Sequence, residues 1–448
     1  MFELDRRGFL KMTTLGAAGL AAARTIGAAE REGPATAAAA GDDWDAIYEQ
    51  FPLSRERAQF AAFFLVSHPR PVRQAIDRYR QMLDADPIAT IERHCFGAPE
   101  DNLDLHVKRT AAAYLGGDAA DVALTQSTTM GLALLYHGLK LSPGQEILTT
   151  THDHVAHHEA IRLAAERSGA TWRKVALFDR FEDLPEITED AIVSKIRKAI
   201  APSTRVLGIT WVHSQTGLKL PVRAIAQAVH QINAKRDEAH RILVFVDGAH
   251  GFGVEDDAVA TMGIDALSSG THKWILGPRG TGLVWARPEV WHMLRPTIPT
   301  FDGMEPYEAW LEGKEPTGPP TASWFTPGGF HAFEHEWAVA DAFAFHAAIG
   351  RPRIAARIQA LNAQIKEGLA KIPKVTLYTP RSAALSAGLV GFDIAGSTAD
   401  QTVKALLDKK VVASASPYKR SVARLAGSLV NNEAEVEKAL AAVREVAA

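Results

Sequence analysis

The chain has 448 residues, of which 47% are hydrophobic and 23% are charged, and its formal net charge is −3. A chain of this length can bury a large core, and it indicates roughly two or three domains. The nearly balanced charge gives no indication of nucleic acid binding. The single cysteine, Cys95, cannot form an intramolecular disulfide. Four histidines crowd between positions 152 and 158 without a partner at zinc-type spacing, so we predict no metal site.

The amino terminus has the features of an export signal. Arg6 and Arg7 precede Phe9, Leu10 and Lys11, and an Ala/Gly-rich stretch follows over residues 12–29. This pattern resembles a twin-arginine signal, for which a disordered basic tail is the alternative. The apolar stretch is too short for a stable membrane span. We therefore expect residues 1–41 to be signal peptide and leader, cleaved near 37–40, with export to the periplasm by the twin-arginine machinery.

The elements that follow alternate in type along the chain. We predict an amphipathic helix over 44–60, a strand-like segment over 63–66 and a helix over 72–85. Helices then alternate with short apolar strands between residues 104 and 350, which is typical of an α/β domain with a mostly parallel sheet. The predicted strands of this domain are 121–124, 146–149, 171–175, 205–210, 242–246, 266–268 and 282–286.

The last third of the chain predicts a second domain. A Pro/Gly-rich run over 315–329 predicts a long loop over the site, and helices over 332–349 and 353–372 follow it. Strands over 375–378 and 389–393 then alternate with helices over 399–409 and 433–446. We expect a large domain over 104–350, a smaller α+β domain over 351–448, and a segment over 42–103 that packs on the smaller domain.

Asp247 and Lys273 are the most informative pair of residues. Asp247 follows an unbroken apolar run at 242–246, so it lies at the carboxyl end of a buried strand, where α/β sheets bind ligands. Lys273 follows a small-residue and hydroxyl turn at 269–271 that can approach a phosphate. Pyridoxal phosphate needs an acid at its ring nitrogen, an imine-forming lysine and a phosphate cradle. A capping aspartate and a solvated lysine are the alternative, but their order and flanking turns favour the cofactor site.

With these motifs, the chain resembles the class V aminotransferase family of fold type I pyridoxal phosphate enzymes from about Phe51 onward. Within that family it is similar to the isopenicillin N epimerase-like and cysteine desulfurase-like branches. The resemblance is strongest at His272, Lys273 and Trp274 with the turn over 277–280. It implies a large domain with a mostly parallel sheet, a smaller α+β C-terminal domain, pyridoxal 5'-phosphate as cofactor and a homodimer.

The resemblance also implies roles for residues that bind the cofactor phosphate and ring. Ser127, Thr128 and Thr129 lie between a strand and a helix, where main-chain donors bind the phosphate. His154 matches the imidazole that stacks on the ring, although His152, His157 and His158 lie close in sequence. The remaining cofactor candidates are Gln215 at the ring oxygen, Asp247 at the ring nitrogen with His250 beside it, His272, and Lys273.

Arg424 matches the family arginine that binds the substrate α-carboxylate, because an arginine fork can donate two parallel bonds to it. A solvated glutamine and a surface arginine are the alternatives for Gln215 and Arg424. Two departures from the family pattern matter. The loop over 411–417 has no cysteine, which argues against cysteine desulfuration by the family's thiol mechanism. Residues 327–330 offer glycine where many relatives place a threonine that reaches the neighbouring subunit's phosphate.

The implied mechanism makes Lys273 a general base at the α-carbon, while Asp247 keeps the cofactor ring protonated. Transamination, racemisation and elimination stay open. The leading hypothesis is an exported enzyme that acts on the N-terminal glutamate of a peptide siderophore. Such an enzyme is similar to those that modify pyoverdine. An epimerase or a C–S or C–N lyase on free amino acids is the alternative. A non-catalytic binding protein is a third, although a binding role would not need Lys273.

Overall fold

The computed structural model describes residues 43–448, so the expected signal peptide over 1–41 lies outside the described residues. Within the described part, no helix combines the length and apolar character that a membrane crossing requires. Thirteen strands and fifteen α-helices are described, with six short 3₁₀ segments between them.

The strands are numbered in chain order as β1 (Ala58–Gln59), β2 (Val122–Thr125), β3 (Glu146–Thr150), β4 (Thr171–Val175), β5 (Thr204–Thr210), β6 (Leu243–Asp247), β7 (Ala266–Gly270), β8 (Gly282–Ala286), β9 (Val375–Leu377), β10 (Val390–Ile394), β11 (Val411–Val412), β12 (Ser414–Ala415) and β13 (Ala423–Leu425). The helices are α1 (Trp44–Tyr48), α2 (Arg70–Ala85), α3 (Pro87–His94), α4 (Leu103–Leu115), α5 (Thr128–Gly138), α6 (Val155–Ser168), α7 (Glu189–Ala199), α8 (Val222–Asn233), α9 (Pro288–Met293), α10 (Met304–Leu311), α11 (Phe333–Trp337), α12 (Val339–Ile349), α13 (Arg351–Leu369), α14 (Ala399–Asp408) and α15 (Glu433–Ala447).

A seven-stranded sheet forms the centre of the molecule. Its strand order is β2-β8-β7-β6-β5-β3-β4, and only β8 runs antiparallel to its neighbours. The predicted strands between 121 and 286 all form, with ends that move by at most two residues. The expected fold, a fold type I α/β architecture with a mostly parallel sheet, is confirmed.

Both faces of this sheet are buried, and β6 shows why its sequence is an unbroken apolar run. Val244 and Val246 belong to one hydrophobic cluster, whereas Leu243 and Phe245 belong to the cluster on the other face. Side chains alternate along a strand, so a strand covered on both faces needs apolar residues at every position. The next residue, Asp247, is the first polar side chain of the strand and ends it at the sheet's carboxyl edge.

A smaller antiparallel sheet with strand order β12-β13-β10-β9 lies in the C-terminal part of the chain. Its core includes side chains from α13 and α15. The N-terminal segment joins this part through β1, which pairs in parallel with β11, Ala58 opposite Val411. The same segment also packs on the other side, where α2 contacts α11 and α12. The boundaries at 42–103, 104–350 and 351–448 stay predictions.

Several predicted elements were wrong. The helix expected over 44–60 ends at Tyr48, and β1 forms later in that segment. Residues 63–66 do not form a strand: Phe63 and Phe64 lie in a turn, and Phe63 packs against side chains of the site rather than against another strand. The helix expected over 332–349 is two helices that meet at Ala338. The short strands β11, β12 and β13 and the helix α10 were not predicted.

The Pro/Gly-rich run does not lie over the site as expected. None of residues 315–329 lines the cavity described below. Instead a 3₁₀ turn over Ala322–Phe325 buries Trp324 and Phe325 in the core, with Phe325 against Trp291 at 4.9 Å between ring centroids. Burial of these aromatic side chains holds the run against the body of the protein.

Candidate active site

A cavity opens at the carboxyl edge of the central sheet, where β5, β6 and β7 end. The structure brings nine of the ten predicted site residues to its wall. These nine are Ser127, Thr128, Thr129, His154, Asp247, His250, His272, Lys273 and Arg424. Ligands of open α/β sheets bind at this edge, so the position agrees with the prediction for Asp247 and Lys273.

Lys273 is held in a surrounding that disfavours its charge. Its Nζ lies 3.4 Å from His250 Nε2, while His250 Nδ1 accepts a hydrogen bond from Trp274 Nε1 at 3.2 Å. Burial lowers the pKa of the Lys273 amine, and the positive charge of Arg424 lowers it further, against the opposing effect of Asp247. A neutral lysine amine is the form that attacks a carbonyl or accepts a proton.

Asp247 is buried at the end of β6 and projects to the cavity wall. Its Oδ1 accepts a hydrogen bond from the Ala249 amide at 2.9 Å, which fixes the carboxylate orientation. A buried carboxylate can hold a protonated ring nitrogen by a charge-assisted hydrogen bond. The position therefore fits the acid that the cofactor ring needs.

The start of α5 forms a cradle for an anion. Ser127 caps this helix, and its Oγ accepts a hydrogen bond from the Met130 amide at 3.2 Å. Thr128 Oγ1 accepts from the Gly270 amide at 2.7 Å, which ties the helix start to the end of β7. A Cβ at Gly131 would lie 2.2 Å from Ser268 Oγ, so glycine permits this close approach. Free amides and the helix dipole at such an end fit a phosphate.

His154 is the one histidine of its cluster that faces the cavity. It caps α6, and its Nδ1 accepts a hydrogen bond from the Ala156 amide at 3.2 Å. Burial lowers the pKa of its imidazole, so the neutral ring is favoured. The three neighbouring histidines bond elsewhere: His152 stacks on Phe178, His157 contacts the Tyr136 hydroxyl and His158 contacts the Thr150 carbonyl. Of the four histidines, His154 is therefore the one that lies where it could stack on a cofactor ring, and that role stays a prediction.

Asp153, which precedes His154, fixes the edge of the sheet behind it. Its carboxylate accepts hydrogen bonds from the amides of Thr150 and Thr210, at 2.7 and 2.9 Å. Those amides lie at the ends of β3 and β5, so the carboxylate joins two strands. His157 and His213 hold the pKa of Asp153 below its usual value, against the opposing effect of burial. Asp153 therefore positions the turn that carries His154.

Gln215 is the one predicted site residue that the structure does not bring to the cavity wall. Its amide Nε2 donates to the carbonyl of Arg420, a residue of the C-terminal part of the chain. This bond uses one of the two N–H donors of the amide, and the predicted bond to the cofactor ring oxygen stays a prediction. Ser214 and Thr210 line the cavity at this place instead.

His272 lines the cavity, and its Nδ1 contacts the Thr281 carbonyl at 3.1 Å.

Arg424 lies in β13, is 3% exposed and keeps part of its hydrogen-bonding capacity for a ligand. Its guanidinium donates to Ser414 Oγ, the Ser214 carbonyl and the Ala415 carbonyl, at 3.1, 2.7 and 3.0 Å. A guanidinium has five N–H donors, so others remain for a carboxylate. Burial lowers the pKa of Arg424 to about 10, which still leaves the side chain charged at neutral pH.

Seven cavity residues lie outside the predicted set, namely Phe63, Phe64, Ala156, Thr210, Ser214, Ala249 and Pro417. Ser214 directly precedes the predicted residue Gln215, and Pro417 ends the loop over 411–417 that lacks a cysteine. Phe63 is buried, with its ring edge-on to His250 and 4.9 Å from the Arg424 guanidinium. The apolar run at 63–66 was the sequence feature that could have indicated Phe63 and Phe64 as cavity residues. Such a run predicts a strand equally well.

The single cysteine lies away from the cavity. Cys95 follows α3 and packs with the hydrophobic cluster that contains Tyr79 and Trp337. Burial raises the pKa of its thiol, which disfavours the reactive thiolate. The cavity wall therefore carries no thiol among its described residues.

The fold and the site together define a fold type I pyridoxal phosphate enzyme. The chain belongs to the class-V aminotransferase family, since the family model described as "Aminotransferase class-V" matches residues 68–422. The expected cofactor, pyridoxal phosphate, is confirmed by this membership. Lys273 would hold it, with Asp247 at its ring nitrogen, His154 on its ring and the start of α5 at its phosphate.

Curated relatives include epimerases and desulfurases. The isopenicillin N epimerase of Streptomyces clavuligerus is 28% identical over 340 residues, which are 74% of this chain and 79% of that protein. A probable cysteine desulfurase of Vibrio cholerae serotype O1 is 22% identical over 434 residues, which are 90% of this chain and 98% of that protein.

Two solved structures share the fold. A complex of the cystine C–S lyase C-DES with its reaction product cysteine persulfide has a TM-score of 0.75 at 20% identity, and the match covers 88% of this chain and 99% of the lyase. The apo cysteine desulfurase of Thermococcus onnurineus NA1 also has a TM-score of 0.75 at 20% identity, covering 90% of this chain and 98% of that one.

Proposed function

We propose that the protein is a pyridoxal phosphate enzyme that changes bonds at the α-carbon of an amino acid. The observation that carries the proposal is that Lys273, Asp247 and Arg424 line one cavity. Bound pyridoxal phosphate supplies an electron-withdrawing ring that stabilises negative charge at the α-carbon. Arg424 would bind the α-carboxylate, and the Lys273 amine, in its neutral form, would take the proton from the α-carbon.

The leading reaction is transamination, or a related oxidative change, of an amine on a peptidic natural product. The N-terminal glutamate of a peptide siderophore such as pyoverdine is the proposed substrate. Support comes from Arg6 and Arg7 in the leader, which place the enzyme in the periplasm if the twin-arginine machinery exports it. A cavity wall without a thiol argues against cysteine desulfuration, although desulfurases share the fold.

Epimerisation is the second candidate, and Tyr418 favours it. The Tyr418 hydroxyl lies 2.6 Å from Ser214 Oγ, and its ring is edge-on to His154, with 6.4 Å between centroids. Inversion at a carbon needs one group that removes a proton and another that returns one to the opposite face. Lys273 would be one of these groups. Tyr418 does not itself line the cavity but bonds Ser214 of its wall, and would supply the second proton through that hydroxyl. Two epimerases among the relatives, 28% and 25% identical, add support. Elimination on a free amino acid is the third possible outcome.

A homodimer is also part of the proposal. Large apolar side chains stand exposed on the surface formed by residues 301–330, namely Phe301, Met304, Trp310, Leu311 and Phe330. Exposed apolar groups of this size commonly mark protein interfaces. A second copy of the chain is the proposed partner.

Absorption spectroscopy and product analysis test the proposed function. Protein purified with its cofactor should absorb in the visible range, and Lys273→Ala should lose both the band and turnover. Lys235→Ala, which changes an exposed lysine, is the control. Mass spectrometry then separates the reactions, because transamination gives a keto product and epimerisation gives a substrate of inverted configuration. A protein that binds no pyridoxal phosphate would refute the proposal.

A further inference from the structure

Tyr136, His157 and Thr210 form a buried chain of hydrogen bonds that ends at the cavity. The Tyr136 hydroxyl lies 2.7 Å from His157 Nε2, and His157 Nδ1 lies 3.4 Å from Thr210 Oγ1. Tyr136 and His157 are fully buried between the sheet and its helices, whereas Thr210 lines the cavity wall. The chain therefore connects polar groups of the protein interior to the site.

A glycine within β5 makes room for this chain. A Cβ at Gly208 would overlap the Tyr136 hydroxyl and would lie 3.0 Å from His157 Nε2. Glycine weakens the interior of a strand, and it is often found where another group approaches the backbone closely. The chain thus depends on a residue type that a central strand disfavours, which indicates a use beyond packing.

The hydrogen bonds of the chain share one direction. Burial holds the pKa of the Tyr136 hydroxyl well above its usual value, so this hydroxyl keeps its proton and can donate to His157 Nε2. The single proton of a neutral imidazole then lies on Nδ1, which also faces Asp153 Oδ1 at 3.9 Å. Thr210 Oγ1 accepts from Nδ1, and no described residue accepts from the Thr210 hydroxyl in turn. The Thr210 proton is therefore available at the cavity that this residue lines.

Thr210 and Asp247 lie side by side at the carboxyl edge of the sheet. They are register partners on the neighbouring parallel strands β5 and β6. Side chains alternate along a strand, so Thr210 shares a face with Val206 and Asp247 shares a face with Phe245. Val206 and Phe245 belong to one hydrophobic cluster, so all four side chains are on the same face. The Thr210 hydroxyl is thus a donor beside the carboxylate that fits the cofactor ring nitrogen.

We propose that His157 is a positioning residue that, through Thr210, keeps the Asp247 carboxylate ionised beside the ring nitrogen of pyridoxal phosphate. A donor directed at a carboxylate favours its charged form, and an ionised carboxylate in turn favours the proton on the ring nitrogen. The protonated ring is the form that withdraws electrons best. Tyr136 holds His157 in the tautomer that this role needs. The inference rests on the proposed function, because it takes Asp247 as the partner of the ring nitrogen.

Calorimetric titration of the apoprotein with two probes tests this inference. Pyridoxal phosphate has the ring nitrogen, whereas deazapyridoxal phosphate has a C–H group in its place. Hydrogen bonds to charged groups are stronger than those between neutral groups, so Thr210→Val should lower the affinity for pyridoxal phosphate about tenfold. The affinity for the deaza probe should not fall, because that probe offers Asp247 no ring N–H. His157→Leu should give the same selective loss.

Conservative variants separate positioning from packing. His157→Asn should restore the wild-type affinity, because an asparagine amide can donate to Thr210 in place of Nδ1. Tyr136→Phe should give a smaller loss, since the charge of Asp153 still favours the proton on Nδ1. Thr402→Val, which removes a buried hydroxyl in α14, is the matched control and should change neither affinity.

The two probes also separate the possible failures. If His157→Leu does not fold, Thr210→Val carries the test, because valine has nearly the shape of threonine. Equal losses of affinity for both probes, or no loss for either, would overturn the role of the chain alone. Wild-type protein that binds neither probe would refute the proposed function together with it.

Discussion

The amine of Lys273 lies 3.4 Å from His250 Nε2, and the opposite ring nitrogen of His250 accepts the indole N–H of Trp274. Burial holds the pKa of His250 well below its usual value, so its ring is neutral. Because Nδ1 accepts from Trp274, the single ring proton must lie on Nε2. That proton points toward a lone pair of Lys273, which stabilises the neutral amine over the ammonium ion.

Replacing the indole tests this arrangement. In Trp274→Phe, His250 can move its proton to Nδ1 and turn a lone pair toward Lys273, which favours the ammonium form. We therefore expect the pKa of Lys273 to rise. The apoprotein should then take up the cofactor at the wild-type rate only at a higher pH. The measurement is the pH dependence of that rate, followed by visible absorbance. Trp285→Phe is the control, since Trp285 is buried and its Nε1 has no hydrogen-bond partner. Equal pH profiles in all three proteins would contradict the argument.

The carboxylate role of Arg424 is separated from its structural role by Arg424→Lys. Lysine keeps a positive charge but lacks the guanidinium group. That group bonds Ser214, Ser414 and Ala415 and still has N–H donors for a substrate carboxylate. We expect KM for an amino-acid substrate to rise about 30-fold, equivalent to about 2 kcal/mol for a charge-assisted bond, with a smaller change in kcat. The cofactor absorbance should persist.

Arg381→Ala removes an exposed arginine paired with Glu186 and serves as the control for a change in charge. Loss of the cofactor absorbance in an Arg424→Lys protein that circular dichroism shows to be folded would contradict this role. In that case Arg424 would be needed to bind the cofactor rather than the substrate carboxylate.

The sequence predicts those parts of the site that follow from strand ends. Asp247 and Lys273 could be located because a buried strand is visible as an apolar run and its carboxyl end is where ligands bind. The side-chain position of Gln215 could not, because its amide bonds the carbonyl of Arg420, far away along the chain. Phe63 and Phe64 could not either, since an apolar run does not reveal whether it packs on a sheet or on a cavity. Such contacts between distant segments depend on tertiary packing that no local pattern contains.

Tyr418→Phe distinguishes epimerisation from transamination. Phenylalanine keeps the ring beside His154 but removes the hydroxyl that lies 2.6 Å from Ser214 Oγ. Burial raises the pKa of Tyr418 to about 12, so the hydroxyl is protonated at neutral pH and can donate a proton. If the enzyme is an epimerase, we expect kcat for inversion to fall about 100-fold, in line with loss of one general acid, with KM little changed.

The measurement is solvent deuterium incorporation into each enantiomer of the substrate. Lys273 should still exchange deuterium without inversion in Tyr418→Phe. Tyr307→Phe, in the exposed α10 region, tests for general effects of removing a hydroxyl. Inversion at the wild-type rate would exclude Tyr418 as the second proton carrier.

Asp104, outside the cavity, should make stability fall as the pH rises. Burial raises the pKa of this carboxyl to about 7, and the negative charge of Glu336 adds to the effect. Between pH 4 and pH 7 the folded protein keeps the Asp104 proton while the unfolded chain loses it, so unfolding becomes easier as the pH increases. The other titratable groups that act on this cluster are Cys95, Lys108, Asp302 and His331.

Asp104→Asn keeps an oxygen that can accept the indole N–H of Trp337, which lies 2.7 Å from Asp104 Oδ1, but it cannot ionise. We expect its free energy of unfolding, relative to the wild type, to be about 2 kcal/mol higher at pH 8 than at pH 5. Urea denaturation at the two pH values measures this difference, with the exposed Asp84→Asn as the control. The contrary result is a difference in unfolding free energy between Asp104→Asn and wild type that is the same at both pH values. That result would show that the carboxyl titrates normally, because only a raised pKa in the folded state couples its proton to folding in this range.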